Sequence, residues 1–395
     1  MIIQCIETLS DPAGSIPALT FVRVHTSSGL IGLGETFYTP QTVHTYVHEI
    51  LAPQLIGRAA LGATGAWDDL YRQVARRGAG GTDIRALSAV DLALWDLKGK
   101  ALGVPVHVLL GGTAQPAGPQ VYNTCAGATY ATGTTVGKGP SSQDDDLWRV
   151  LNDPGPLAAE LLHAGYGGMK LWPFDAAALL NDGRTIDHQG LEAGVQVLAS
   201  IREAVGPDIE IMLEGHGQWD VGAATRILRA VEQYDVLWAE DIVLAHDPRA
   251  LKALSRSTSV PLAASEYLMG RWQYRQVLEA EAIGYLHLDP SWCGGITESR
   301  HVLSLASSFG VTACMHDCTG PVNLLAGLHL ATVDVNVAYQ EVLRAFLDEV
   351  YPHMVDTTWA TSDGRLAAPE RPGLGAELTE QYLSSPTLVR QVSSA

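Results

Sequence analysis

Apolar and polar positions along the chain keep two different rhythms. In the first, short apolar runs at residues 2–8 and 18–26 predict strands, the second joined to another run at 30–35 through Ser27-Ser28-Gly29, a hairpin-type turn. Helical spacing then predicts helices over 41–55, 66–75 and 84–102. The last carries Leu87, Val90, Leu94, Leu97 and Leu102 and stops at Gly103 and Pro105. Strands followed by helices make residues 1–119 a unit of the α+β kind.

The rhythm changes at Gln120. Apolar runs at 121–124, 168–172, 209–214, 235–240, 261–266, 284–289, 311–316 and 336–341 now alternate with helical segments such as 191–205, 223–233 and 297–309. Eight strand–helix units in series predict a (β/α)8 TIM-type barrel over residues 120–350. The ends of six successive runs fall at Glu214, Glu240, Glu266, Asp289, His316 and Glu341, at intervals of 26, 26, 23, 27 and 25 residues. One parallel strand with its crossover needs about that many residues. The stretch 127–156, rich in Gly, Thr, Ser and Asp, interrupts the first crossover and reads as a long loop, either a lid or a surface insertion.

Barrel enzymes do their chemistry at the C-terminal ends of strands, and that is where this chain keeps its titratable groups. Glu214, Glu240 and Glu266 end three successive strands, so their carboxylates converge. Two like charges ~4 Å apart repel by about 4 kcal/mol at an effective dielectric near 20. Such a trio favours a hard divalent cation, most simply Mg²⁺, over three separately solvated glutamates. Lys170 lies near the end of the second strand, and His216 sits two residues past Glu214, where it can share the same face. Asp289 and His316 offer a carboxylate beside an imidazole, an arrangement that makes a general base. Glu341 is either an acceptor for a substrate hydroxyl or one more solvated glutamate. Trp172 and Trp292 either wall a substrate pocket or cap the barrel core.

Charge and composition narrow the field. Lys and Arg total 25 against 43 Asp and Glu, a formal net charge of −18, which excludes sequence-independent binding to nucleic acid and to anionic membranes. No apolar run approaches the ~18 residues of a membrane span, and residues 1–10 lack the pattern of a secretory signal. Five cysteines show no disulfide-framework spacing, so a reduced, cytoplasmic location is expected. Cys314-x-His316-x-Cys318 leaves open a zinc site, and a metal-free binding barrel is its companion reading.

With these residues in place the chain resembles the enolase superfamily, in particular the mandelate racemase subgroup. The segment 88–100, SAVDLALWDLKGK, looks like that group's last capping-domain helix. The ordered set Glu214, Glu240, Glu266, Asp289 with Gly294-Gly295-Ile296-Thr297, and His316 is similar to its active-site order, as is Pro372-Gly373-Leu374-Gly375. The resemblance implies a capping domain built from 1–119 and completed by 351–395. It implies Mg²⁺ on Glu214, Glu240 and Glu266, and abstraction of the proton α to a carboxylate to give an enediolate. It also implies a homo-oligomer and a small-molecule carboxylate substrate, whose identity depends on capping-domain loops that include 36–39; Tyr38 in that loop is either a substrate contact or a plain surface tyrosine. Two departures bear on activity. Trp172 stands where the racemases carry the second lysine of Lys-x-Lys, which weakens a two-base racemase. Glu214-Gly215-His216 is similar to the Asp-x-His of acid-sugar dehydratases. The expectation is therefore a lyase: a Mg²⁺-dependent sugar-acid dehydratase with His216 and His316 as the acid–base pair, Asp289 orienting His316, and Lys170 neutralising the substrate carboxylate. An epimerase or cycloisomerase using the same enediolate is the alternative.

Overall fold

Three antiparallel strands open the chain: β1 (Ile3–Ser10), β2 (Leu19–Thr26) and β3 (Ile31–Phe37). The protein is described by a computed structural model at residues 1–132 and 142–394. The sheet packs on the helix Thr82–Leu102, whose side chains are buried along most of its length. Two glycines set how closely they approach. A Cβ added at Gly32 or Gly34 would stand 2.0 Å from the carbonyl oxygen of Ala93 or Ala89, so β3 lies against helix backbone at a distance only glycine permits. Gly34→Ala is therefore expected to lower stability by about 3 kcal/mol through overpacking. Urea unfolding monitored by far-UV circular dichroism measures it, and an unaltered midpoint would contradict the tight approach.

The helix expected over 41–55 is present without a break but changes pitch: α-helical at Pro40–Tyr46, π-helical at Val47–Leu51, and α-helical again at Ala52–Leu55. Pro53 has no N–H to give to the regular ladder. The ladder widens just ahead of it, with the Ala52 N–H on Val47 O.

The eight later runs close into one parallel barrel: β4 (Gln120–Thr124), β5 (Gly168–Leu171), β6 (Glu210–Glu214), β7 (Val236–Glu240), β8 (Leu262–Ala264), β9 (Tyr285–Leu288), β10 (Thr312–Met315) and β11 (Val337–Val342). Each strand pairs with the next, and β11 pairs with β4 to complete the ring. Side chains alternate across a strand, and the alternation explains how a polar mouth sits on an apolar floor. Tyr122, Met212, Trp238, Ala263 and Cys314 form a buried cluster of their own inside the barrel. Two residues further along four of those strands come Thr124, Glu214, Glu240 and His316.

Two small strands, β12 (Thr361–Ser362) and β13 (Arg365–Leu366), add to the outside at β4. The last strand, β14 (Val389–Ser394), returns to pair antiparallel with β1. The stretch 127–156 departs from the long loop expected of it. Residues 133–141 lie outside the described residues, but Asp146–Asn152 and the start of Pro154–His163 are helical. The aspartate run that read as loop is a helix start: the Asp145 carboxylate accepts from Leu147 N–H. Among the described residues no helix is long and apolar enough to cross a membrane.

Candidate active site

The parity that fills the barrel floor brings the chain's polar strand ends around one small cavity at the mouth. Lys170, Trp172, Glu214, His216, Glu266, Trp292, His316, Glu341 and Tyr38 all line it. Glu240 and Asp289 are fully buried just behind, touching Lys170 and His316. A larger cavity opens beside β14 and the Pro40–Tyr46 helix, shares only Tyr38 with the first, and holds none of the carboxylates. Arg271 stays out of the mouth, paired with Glu298 at 2.5 Å.

Two of these residues arrive by routes that strand spacing does not describe. β8 ends at Ala264, so Glu266 reaches the cavity from the following loop rather than from a strand end. β6 ends at Glu214, and His216 sits in a turn with a left-handed backbone, φ 47°. Glu214 holds that turn itself, Oε1 accepting the N–H groups of Gly215 (2.9 Å) and His216 (2.6 Å).

Two imidazoles face the cavity, each backed by a carboxylate. His316 Nδ1 lies 2.8 Å from Asp289 Oδ2, and His216 Nδ1 lies 2.7 Å from Asp175 Oδ2. The other ring nitrogens lie among groups that line the cavity: His316 Nε2 is 3.4 Å from Cys318 Sγ and 3.8 Å from Glu341 Oε2, and His216 Nε2 is 3.4 Å from Tyr130 Oη. Burial opposes a charge on either ring. Around His316 it is outweighed by Cys318, Glu341 and Asp289, which raise the pKa well above that of free histidine. Around His216 it is outweighed by Glu214 and Asp175, which raise the pKa to about 9.

Lys170 Nζ stands among three carboxylates, 2.8 Å from Glu341, 3.1 Å from Glu240 and 3.4 Å from Glu214. Burial opposes its charge, but Glu240 and Glu341 outweigh that and raise its pKa well above a free lysine's. Glu240 also contacts His287 Nδ1 at 2.5 Å. Its own burial is overcome by His287 and Lys170, which hold its carboxyl below the usual range. Glu341 is fully buried, accepts from Thr124 and is paired with Lys170, so it is not a solvated glutamate.

Among the described residues no three His, Cys, Asp or Glu side chains are already drawn into a closed ion-binding group. The donor chemistry nevertheless fits a hard cation. Glu266 Oε2 is buried without a hydrogen-bond partner. Burial and repulsion from Glu240 push the Glu214 carboxyl up to about 7, and Glu266 adds to the repulsion. Carboxylate oxygens turned to one cavity, one of them without a hydrogen-bond partner, suit an oxygen-seeking ion better than a thiophilic one. The Cys-x-His-x-Cys spacing does not gather its two sulfurs: Cys314 lies in the barrel floor, whereas Cys318 lines the cavity.

Sequence reasoning missed Asp175 and Tyr130 as members of this site, and named Cys318 only as a candidate zinc ligand. Asp175 opens a one-turn helix three residues after Trp172, and no spacing marks it as the partner of a residue 41 positions away. Tyr130 lies in the Gly- and Thr-rich stretch that read only as loop.

The comparisons agree with this architecture. Residues 13–111 match the family model for the mandelate racemase / muconate lactonizing enzyme N-terminal domain, and residues 156–382 match that for the enolase C-terminal domain-like family. A protein of Variovorax paradoxus (strain S110) named D-galactonate dehydratase is 32% identical over 374 residues, covering 93% of this chain and 90% of that one. A D-galactonate dehydratase family member of Streptomyces bingchenggensis (strain BCW-1) is 30% identical over 379 residues, covering 92% and 89%. The crystal structure of an enolase of the mandelate racemase subgroup from Agrobacterium tumefaciens superposes with a TM-score of 0.88 at 36% identity, covering 100% of this chain and 99% of that one.

Proposed function

The chain belongs to the mandelate racemase / muconate lactonizing enzyme family of the enolase superfamily, and from that premise we propose that it is a lyase that removes water from a sugar acid, an aldonate or aldarate, to give a 2-keto-3-deoxy acid. The observation that carries this reading is the pair of carboxylate-backed imidazoles, His316 on Asp289 and His216 on Asp175, at one cavity. Elimination needs a base at the α-carbon and an acid at the β-hydroxyl, and two such rings supply both. The relatives named D-galactonate dehydratase, at 32% and 30% identity, support the same class.

In this reading one imidazole takes the α-proton, and the electron pair moves into the substrate carboxylate as an enediolate. That pair then returns to expel the β-hydroxyl, which takes a proton from the other imidazole and leaves as water. The resulting enol tautomerises to the 2-keto acid. Lys170, its ammonium set among three carboxylates, serves as a fixed positive charge near the substrate carboxylate. Glu341 accepts a hydrogen bond from a substrate hydroxyl, and Trp172, Trp292 and Tyr38 wall the cavity against water. Glu214, Glu240 and Glu266 would hold Mg²⁺, which supplies positive charge to the substrate carboxylate.

A panel of aldonic and aldaric acids that includes D-galactonate tests this, with Mg²⁺ present. Semicarbazide detects 2-keto acids, and proton NMR in D₂O detects α-proton exchange. Keto product from at least one member is expected. Exchange without keto product would turn the assignment to an epimerase or cycloisomerase.

A further inference from the structure

We propose that Asn323 is a positioning residue for the His316–Asp289 pair, and that the N-terminal sheet sets it through Glu35. The role follows from the reading that this pair moves protons, but the contacts are independent of any substrate.

Asn323 is fully buried and every polar atom of its side chain is in use. Nδ2 donates to Asp289 Oδ2 and to the main-chain oxygen of His316, both at 3.0 Å, and Oδ1 accepts from Ser291 N–H at 3.0 Å. A single planar amide thus ties the loop after β9 to the loop after β10. It grips the carboxylate oxygen that faces the imidazole, and the backbone from which the imidazole hangs. Asp289 has other donors: Ser291 gives both its N–H and its hydroxyl to Oδ1, each at 2.7 Å, and Thr319 Oγ1 lies 3.4 Å from Oδ2. Charge satisfaction therefore does not require Asn323. Orientation does, because among the described residues no other contact holds Asp289 Oδ2 and the His316 main chain with the same group.

Asn323 is itself held from a distance in sequence. It is the third residue of the helix Pro321–Val333. That helix cannot cap its own start, since Gly320 has no side chain and Pro321 has no N–H. Glu35 on β3 supplies the missing cap, Oε1 accepting the Asn323 N–H at 2.6 Å. Gly320 makes the room: a Cβ there would stand 2.5 Å from Glu35 Oε1. The next residue, Thr36, donates its hydroxyl to Ser291 O at 2.8 Å. Two adjacent residues of the first sheet thereby reach both ends of the Asn323 bridge. Docking of that sheet and the aim of the His316 ring become one geometric event.

The test compares Asn323→Leu, which keeps the volume and loses the amide, with Glu35→Ala and Glu35→Gln. One readout is kcat against KM in the keto-acid assay. The other is the downfield Nδ1–H proton signal of His316, recorded at fixed pH without substrate or divalent ions and assigned by its loss in His316→Asn. For Asn323→Leu, kcat should fall ~30-fold with KM changed less than about threefold, since a misplacement of ~1 Å costs about that much or more. The Nδ1–H signal should broaden or move. Glu35→Ala should shift the signal in the same sense, and Glu35→Gln, whose amide oxygen still accepts from Asn323, should recover it. A folded Asn323→Leu with kcat within about twofold of the parent and an unmoved signal would overturn the proposal. If that variant does not fold, Glu35→Ala decides by the same two readouts. The signal needs no substrate, so failure of the bridge and failure of the dehydratase reading give different results.

Discussion

His316→Asn will lower the rate of keto-acid formation by about 10³-fold while leaving the fold intact. The rate term follows from what the ring does: a positioned acid or base contributes about 10² to 10⁴, and an asparagine amide can neither take nor give the proton. The fold term follows from its setting. Asparagine keeps an N–H donor near Asp289 Oδ2, where His316 Nδ1 now sits at 2.8 Å, so no buried carboxylate loses all its partners. The variant also separates the two imidazoles' tasks. If His316 is the base, α-proton exchange in D₂O stops together with elimination. If it is the acid, exchange continues while elimination stops, and His216→Asn gives the mirror result. Far-UV circular dichroism and a thermal melt accompany the rates. A His316→Asn enzyme with parental kcat removes the acid–base assignment altogether.

The part of this site legible in the sequence is the part written by strand alternation. Met212 and Glu214, Trp238 and Glu240, Cys314 and His316, Tyr339 and Glu341 are each two apart, the first on the floor and the second at the mouth. Regular strand–helix spacing then fixes which residues meet, because neighbouring parallel strands run in register, as Glu214 and Glu240 do. Where the chain leaves that rule, the reading loses detail. Glu266 was expected at a strand end and comes from a loop; His216 was expected by alternation and comes from a left-handed turn. Both still reach the cavity, for reasons the pattern does not contain. Asp175, Tyr130 and the Glu35–Asn323 bridge were not legible at all. Each joins residues far apart in sequence through loops or between the first sheet and a barrel helix, and such pairings have no period.

Lys170→Met will destabilise the protein by about 3–5 kcal/mol near neutral pH in divalent-free buffer, the cost of breaking a buried charge cluster by removing one sign. The methionine fills the space of the aliphatic stem but leaves Glu341, Glu240 and Glu214 facing one another without the ammonium now 2.8 to 3.4 Å from them. His287 still neutralises Glu240, so the unmet charge concentrates on Glu341 and Glu214. Glu341→Gln should therefore recover part of the loss in the double variant, whereas the same change alone in the parent should destabilise it. The pH dependence has a definite sign. Burial and repulsion from Glu240 already push Glu214 up to about 7 in the parent. A carboxyl whose pKa is raised by folding binds protons more readily in the native state, so its contribution is fully present below the unfolded value and is lost as pH rises through the folded one. Without Lys170 that folded value moves further up. The deficit of the variant relative to the parent should shrink from about pH 8 to about pH 5.5, as measured by urea unfolding across that range. A deficit that stayed constant, or grew toward acid, would mean that the three carboxylates are neutralised by something other than the lysine.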